Sequence, residues 1–259
     1  MKKAILVVSF GTSFHDQLEN CIEATENVIR ENFKDIEVRR AFTSNMIIKK
    51  LKTRDNLYID TPKEALEKLK KDGFTEVYIQ PLHVIYGYEY DKIRLAVHDY
   101  RHNNSFQKLE LGTPLLYKNE DYFKVAEALK EQLPKEENSN VVLMAHGSEH
   151  FANSAYFQFE YVLHKIGLNN VTFATVEGYP LIEDIIPSIK EKQVKEVTLM
   201  PLMLVAGDHA QNDMASEEED SWKSILEKEG IKVNTYLKGL GENKAIQKLY
   251  VEKVKEILK

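Results

Sequence analysis

A single cysteine, Cys21, stands among 259 residues, so the chain can form no internal disulfide and no cysteine-ligated zinc site. Cys21 falls within a helical pattern and reads as a small buried residue. No stretch approaches the ~20 apolar residues that span a bilayer. Positive charge is not in excess. Lys and Arg number 35 against 41 Asp and Glu, a formal net charge of -6. That balance argues against a nucleic-acid partner, which needs a concentrated basic face. The phosphate-binding Gly-x4-Gly-Lys-Ser/Thr loop is missing, as is Gly-x-Gly-x-x-Gly after a strand; Gly239-Leu240-Gly241 is only a fragment. Gly-x-Ser-x-Gly and His-Glu-x-x-His are missing too. Nucleotide-driven chemistry is therefore not indicated. The opening Met1-Lys2-Lys3 precedes an apolar run, Ala4 to Val8, that is too short for a signal peptide and is broken by Gly11-Thr12-Ser13. It reads as the first strand of a cytoplasmic protein.

What the chain does have is enough apolar content for substantial cores, 43%, and a well-charged surface, 29%. Its length suits two domains of ordinary size. Short apolar runs recur at Ile5–Val8, Val141–Met144, Val171–Ala174 and Val197–Met200. They are rich in β-branched residues and lack polar alternation, as in parallel strands covered on both faces. Amphipathic stretches lie between them. Positions 17–32 place Leu18, Cys21, Ile22, Thr25, Val28 and Ile29 at helical spacing. Thr61-Pro62-Lys63-Glu64 is a capping box with proline in the first turn, and Gly73 suits the closing position of that helix. The order β, α, β, α predicts an open α/β sheet.

An internal repeat organises the chain. The segment from Glu76 to Glu89 lies over the segment from Glu196 to His209 at an offset of 120 (196 minus 76), with Glu, Val, Pro, Leu and Gly recurring in register. A weaker match lays Val7-Val8-Ser9-Phe10-Gly11-Thr12-Ser13 over Leu143-Met144-Ala145-His146-Gly147-Ser148. Duplication explains both better than chance likeness among apolar strands. It predicts two α/β halves, residues 1–118 and 119–259, with parallel sheets flanked by helices. Ligands of such sheets bind beyond the carboxyl ends of the strands. Both motifs fall there, so the loops of the two halves are expected to surround one cleft.

His146 directly follows an apolar strand and precedes a glycine, a position that points an imidazole into a crevice. The alternative is a histidine that caps a helix or serves a carbonyl. His209 also follows a strand and a glycine, with Asp208, Asn212 and Asp213 nearby; taken alone, it could be a surface-loop residue. Its repeat counterpart is Glu89, set among Tyr86, Gly87, Tyr88 and Tyr90. Imidazole and carboxylate both ligate divalent metal. An aromatic wall suits a flat macrocycle. His83 has Met203 as its counterpart and reads as a packed histidine rather than a ligand. His15, His98, His102 and His164 have no supporting pattern.

These residues carry a resemblance. Val8-Ser9-Phe10-Gly11-Thr12-Ser13, Phe42-Thr43-Ser44, Ile59-Asp60-Thr61-Pro62, Gln80-Pro81-Leu82-His83 with Gly87-Tyr88-Glu89-Tyr90, Ala145-His146-Gly147, and Pro201-Leu202-Met203 with Gly207-Asp208-His209-Ala210 are similar to the anaerobic cobaltochelatases of cobalamin biosynthesis, of the CbiK type. The similarity runs nearly end to end. It implies two flavodoxin-like domains, no nucleotide, and insertion of Co²⁺ into sirohydrochlorin or precorrin-2 with release of two protons. Metal ligands carried over by position are His146, His209 and Glu89. His146 and Glu89 are the expected catalytic groups. His146 is assigned as the base because an imidazole titrates near pH ~6.5 and its repeat counterpart, Phe10, cannot take a proton.

The polycarboxylate substrate needs donors. Ser9, Phe10, Gly11, Thr12, Ser13, Tyr88 and Arg54 are the expected contacts, with Thr43, Ser44, Lys92 and Arg94 as further candidates. No cofactor is expected beyond the divalent metal substrate. Fe²⁺ or Ni²⁺ in place of Co²⁺, a non-catalytic tetrapyrrole or metal carrier, and an FMN-binding flavodoxin-like protein are the competing readings. Sirohydrochlorin and metal are the expected partners, with no nucleic acid and no membrane. A homo-oligomer is left open.

Overall fold

The computed structural model describes residues 1–135 and 139–259. The chain divides into two compact units, Met1–Tyr117 with Lys244–Lys259, and Lys118–Asn243. No helix among the described residues is long and apolar enough to cross a membrane.

The first unit holds β1 (Lys3–Ser9), α1 (Ala24–Asn32), β2 (Glu37–Phe42), α2 (Asn45–Asp55), α3 (Pro62–Lys71), β3 (Glu76–Pro81), α4 (Tyr88–His102) and β4 (Lys108–Leu111). The second holds α5 (Asn119–Leu129), β5 (Asn140–Ala145), α6 (Ser154–Lys165), β6 (Val171–Thr175), α7 (Ile182–Glu191), β7 (Glu196–Pro201), α8 (Trp222–Lys228) and β8 (Lys232–Thr235). Each sheet is wholly parallel, and the strand orders are β2-β1-β3-β4 and β6-β5-β7-β8. The apolar runs are strands for the expected reason. Ala4 to Val8 and Val141 to Ala145 are buried throughout, with both strand faces covered.

In the first unit one sheet face packs on α3 and α4, through Leu6, Val8, Val77 and Ile79 against Leu66, Leu69, Ile93 and Val97. The capping box of α3 forms: Thr61 Oγ1 accepts from the Glu64 amide at 3.3 Å, and Glu64 Oε2 accepts from the Thr61 amide at 2.8 Å. In the second unit Val142, Met144, Val197 and Leu199 pack on Ile182, Ile185, Ile189, Trp222 and Leu226 in the same way.

The duplication is visible in the backbone. The Leu82 amide donates to Val8 O at 2.7 Å, and the Leu202 amide donates to Met144 O at 2.7 Å. Leu115 donates to His83 O at 2.9 Å, and Leu240 donates to Met203 O at 2.8 Å. Gly11 (φ +98°) and Gly147 (φ +80°) are a matched pair. A Cβ on Gly11 would drive into the Phe42 ring at the end of β2, and one on Gly147 would meet Thr175 Cβ at 2.6 Å and the Glu177 carbonyl after β6. Only glycine accepts both the backbone angle and the close approach.

Two expectations are corrected. The second half was expected to run to residue 259, but the last helix, α9 (Lys244–Leu258), belongs to the first unit. It packs on α1 and β3. Ile246, Tyr250, Val251 and Val254 are buried there, and Tyr250 Oη donates to Leu82 O at 2.9 Å. A helix joins whichever sheet buries its apolar stripe, and chain order does not decide that. In the helical stretch 17–32, Leu18, Cys21, Ile22, Thr25 and Ile29 are buried as the spacing predicts, and Val28 is the one of the six that is not. Leu18–Glu23 forms a π-helical turn between His15–Gln17 and α1. Glu26 is fully buried, while Val28 is only half-buried.

Candidate functional site

In both sheets the chain leaves the central strand in one direction and returns on its other side, so the switch points lie between β1 and β3 and between β5 and β7. The crevice beyond the carboxyl ends at such a point is where an open α/β sheet binds ligand. In the second unit that point carries His146, directly after β5, and the Gly207-Asp208-His209 loop after β7.

These two histidines meet. Their ring centroids are 4.9 Å apart with planes at 86°, edge to face. His146 Nδ1 lies 3.2 Å from Gly147 O. A carbonyl only accepts, so Nδ1 carries the proton and Nε2 carries the lone pair. His209 opens a π-helical segment, His209–Met214, and its Nδ1 lies 2.5 Å from Asp213 Oδ2, one turn on. That carboxylate fixes the tautomer in the same sense and orients the ring, as carboxylate partners do for metal-binding histidines. Asn212 Nδ2 donates to Asp208 Oδ1 at 2.9 Å and steadies the same turn. In the His146 loop Val176 donates to Ala145 O at 3.1 Å, Glu177 to His146 O at 2.8 Å, and the Ser148 amide to Asn153 Oδ1 at 3.1 Å. His150, close in sequence, serves instead as a cap, its Nδ1 accepting from the Ala152 amide at 3.1 Å.

The remaining predicted residues lie in the first unit. Glu89 is in the first turn of α4, where the helix dipole favours a carboxylate. Lys92 Nζ donates to its Oε1 at 2.6 Å, and Oε2 is buried without a hydrogen-bond partner. Tyr88 is exposed beside it. Tyr86 packs on Tyr90 and Tyr117, at centroid distances of 4.3 and 6.0 Å. Ser9, Thr12 and Ser13 are buried at the end of β1, whereas Phe10 is 40% exposed. Thr12 Oγ1 accepts from the Phe14 amide at 3.2 Å, and Ser44 Oγ caps α2 by accepting from Ile47 at 3.4 Å, so both hydroxyls already serve the chain. Arg54 holds the first loop rather than standing ready in solvent. It donates to Ser13 O at 2.6 Å and pairs with Asp55 at 2.7 Å. Arg94 pairs with Asp91 at 2.9 Å.

His83 is the residue whose setting the sequence did not disclose. It is packed as expected, yet neither ring nitrogen has a hydrogen-bond partner. Desolvation lowers its pKa to about 4, against an upward pull from Glu89. Its ring is neutral at pH 7. Within each unit, among the described residues, no three His, Cys, Asp or Glu side chains form a ready cage for a metal.

Known proteins agree with this architecture. The family model described as Cobalt chelatase (CbiK) matches residues 3–259. A sirohydrochlorin cobaltochelatase of Salmonella typhimurium is 45% identical over 259 residues, covering 100% of this chain and 97% of that protein. The sirohydrochlorin cobaltochelatase CbiKC of Nitratidesulfovibrio vulgaris is 32% identical over 253 residues, 97% of this chain and 89% of the relative. Among solved structures, SirB from Bacillus subtilis with Fe³⁺ shares the fold at a TM-score of 0.68 and 17% identity, covering 99% of this chain and 96% of its own. With the match running nearly end to end and the paired histidines at a strand-end switch point, the chain belongs to the cobalt chelatase (CbiK) family.

Proposed function

We propose that this protein inserts Co²⁺ into sirohydrochlorin, in cobalamin synthesis, with release of two protons. The observation that carries the reading is the His146–His209 pair, two imidazoles with both lone pairs on Nε2, one of them anchored by Asp213. The reaction needs a group that presents a borderline divalent ion and a group that takes pyrrole protons near neutral pH. Imidazole does both.

In this reading His209 holds the metal and His146 contacts the metal and accepts a proton. Glu89 supplies a carboxylate for a divalent ion. Charge neutralisation favours that role, since a dication gains more from a carboxylate than from a second neutral ligand. Ser9, Phe10, Gly11, Thr12 and Ser13, with Tyr88, contact the tetrapyrrole. Arg54 steadies that loop through Ser13 O and offers its remaining N–H groups to a substrate carboxylate. No cofactor beyond the metal substrate takes part.

Affinity alone does not select cobalt, because nickel binds nitrogen and oxygen ligands more tightly along the divalent series. The test is insertion into sirohydrochlorin with Co²⁺, Fe²⁺ and Ni²⁺ in parallel, at catalytic protein. The expected result is the highest kcat/KM with Co²⁺. A clear excess for Fe²⁺ or Ni²⁺ would show that the protein works with another metal.

A further inference from the structure

Among the described residues, six buried side-chain polar atoms have no hydrogen-bond partner: Ser9 Oγ, Thr43 Oγ1, Gln80 Oε1, both ring nitrogens of His83, and Glu89 Oε2. All six belong to the first unit, and all sit at or just beyond the carboxyl ends of β1, β2 and β3. Buried polar atoms are almost always paired, so a cluster of orphans at one edge of a sheet needs a cause. That edge is the first unit's switch point, where an open sheet takes a ligand.

His83 is the sharpest case. Packing does not require a polar residue there. The repeat counterpart, Met203, fills the same place in the second unit and packs on its core. The backbone around the two is alike, since the carbonyls of residues 83 and 84 accept from Leu115 and Leu116 just as those of 203 and 204 accept from Leu240 and Gly241. The imidazole therefore does nothing for the loop that a thioether does not do. It neither caps a helix nor serves a carbonyl. A neutral ring carries one lone pair and one N–H, and here both are stranded. Glu89 also carries a stranded atom. Lys92 occupies Oε1, while Oε2 turns inward with nothing to accept from. The charge of Glu89 acts on the His83 ring, opposing the effect of its burial.

We infer that His83 and Glu89 together form a divalent-metal position belonging to the first unit itself, with one imidazole nitrogen and Glu89 Oε2 as its two protein ligands. Imidazole with carboxylate suits Co²⁺ and its neighbours in the series. Two protein ligands leave the remaining coordination sites to water, which fits an ion held in passage rather than kept. Lys92 competes with the ion for Glu89. The inference takes from the proposed function only that Glu89 is a metal ligand, and it stands without the His146–His209 pair.

The test uses the full chain and Co²⁺ alone, followed by equilibrium dialysis and by the visible d–d absorption of bound cobalt. A His146→Ala/His209→Ala protein is expected to retain one Co²⁺ per chain. Adding His83→Met or Glu89→Gln to it is expected to weaken that binding by roughly tenfold or more, since loss of a direct ligand costs at least as much as loss of a supporting partner. Adding Lys92→Met is expected to tighten it. Because methionine is the residue that the twin position already holds, His83→Met is expected to keep its urea midpoint, so lost cobalt cannot be ascribed to unfolding. The inference is overturned if the double variant binds no Co²⁺, or if His83→Met leaves bound Co²⁺ and its spectrum unchanged. Failure here leaves the His146 assignment standing, because that assignment is read from insertion into sirohydrochlorin.

Discussion

Replacing His146 by alanine lowers kcat for metal insertion by about 10²- to 10⁴-fold, the range expected when a positioned base is removed. The fold is not expected to suffer. The loop that carries the imidazole is pinned through main-chain groups, with Glu177 donating to His146 O at 2.8 Å and Val176 to Ala145 O at 3.1 Å. Its backbone is set by Gly147, whose φ of +80° does not depend on the neighbouring side chain. The rate therefore falls while the unfolding midpoint stays. The KM for sirohydrochlorin should change little, because the role proposed for the imidazole is toward pyrrole protons and metal rather than the substrate's carboxylates. The twin position cannot compensate, since Phe10 offers no proton acceptor. Insertion kinetics followed by absorbance check this, and a kcat near that of the unaltered protein would remove His146 from the base role.

Replacing Glu26 by alanine destabilises the fold by about 3–5 kcal/mol, as expected when one partner of a buried ion pair is lost. Glu26 on α1 is fully buried and Arg40 on β2 is 16% exposed in its side chain. Glu26 accepts from Arg40 Nε at 2.7 Å and from a terminal Arg40 nitrogen at 2.8 Å. Arg30 adds a third contact at 2.9 Å. Burial disfavours the Arg40 charge, and its hydrogen bonds with Glu26 and Glu23 outweigh that penalty. Without Glu26, Arg40 keeps only its 3.0 Å bond to the half-exposed Glu23. Urea unfolding reads the change as a lower midpoint at constant slope. Arg40→Ala alone and with Glu26→Ala completes the cycle, in which the double variant should lose less than the sum of the two singles. A loss below about 1 kcal/mol for Glu26→Ala would mean that the site relaxes to admit water.

How much of this was readable from the sequence differs by feature. The strands were, because parallel strands covered on both faces must be apolar throughout, and Ile5–Val8 and Val141–Met144 are. The α3 start was, because Thr61, Pro62 and Glu64 each answer a local need of the first turn. The offset of 120 found equivalent loops, because duplicated strands keep their register, and Glu89 and His209 do open matched helical turns. The inward face of the stretch 17–32 was largely readable, with Leu18, Cys21, Ile22, Thr25 and Ile29 buried, but the burial of Glu26 was not, because a carboxylate goes inside only with partners such as Arg40 that the spacing does not mark. The home of α9 was not readable either: its apolar stripe fits any exposed sheet face, and tertiary packing chose the first unit. Among the candidate site residues, the sequence marked His146 and His209 in the second unit and Glu89 in the first by position, and it named Asp213 only as a polar neighbour. That Asp213 orients His209 depends on one turn of π-helix. The unpaired nitrogens of His83 left no trace in the pattern, because a packed histidine with partners and one without occupy the same kind of position.

Turnover is the most direct measure of the central claim. With metal-free sirohydrochlorin and Co²⁺ in large excess over the protein, absorbance reports cobalt insertion and a weakly buffered solution reports protons. The account predicts many equivalents of cobalt sirohydrochlorin per chain, two protons released for each, and loss of both signals in the His146→Ala protein. A signal that stops at one equivalent per chain would contradict it and make the protein a carrier of metal or tetrapyrrole.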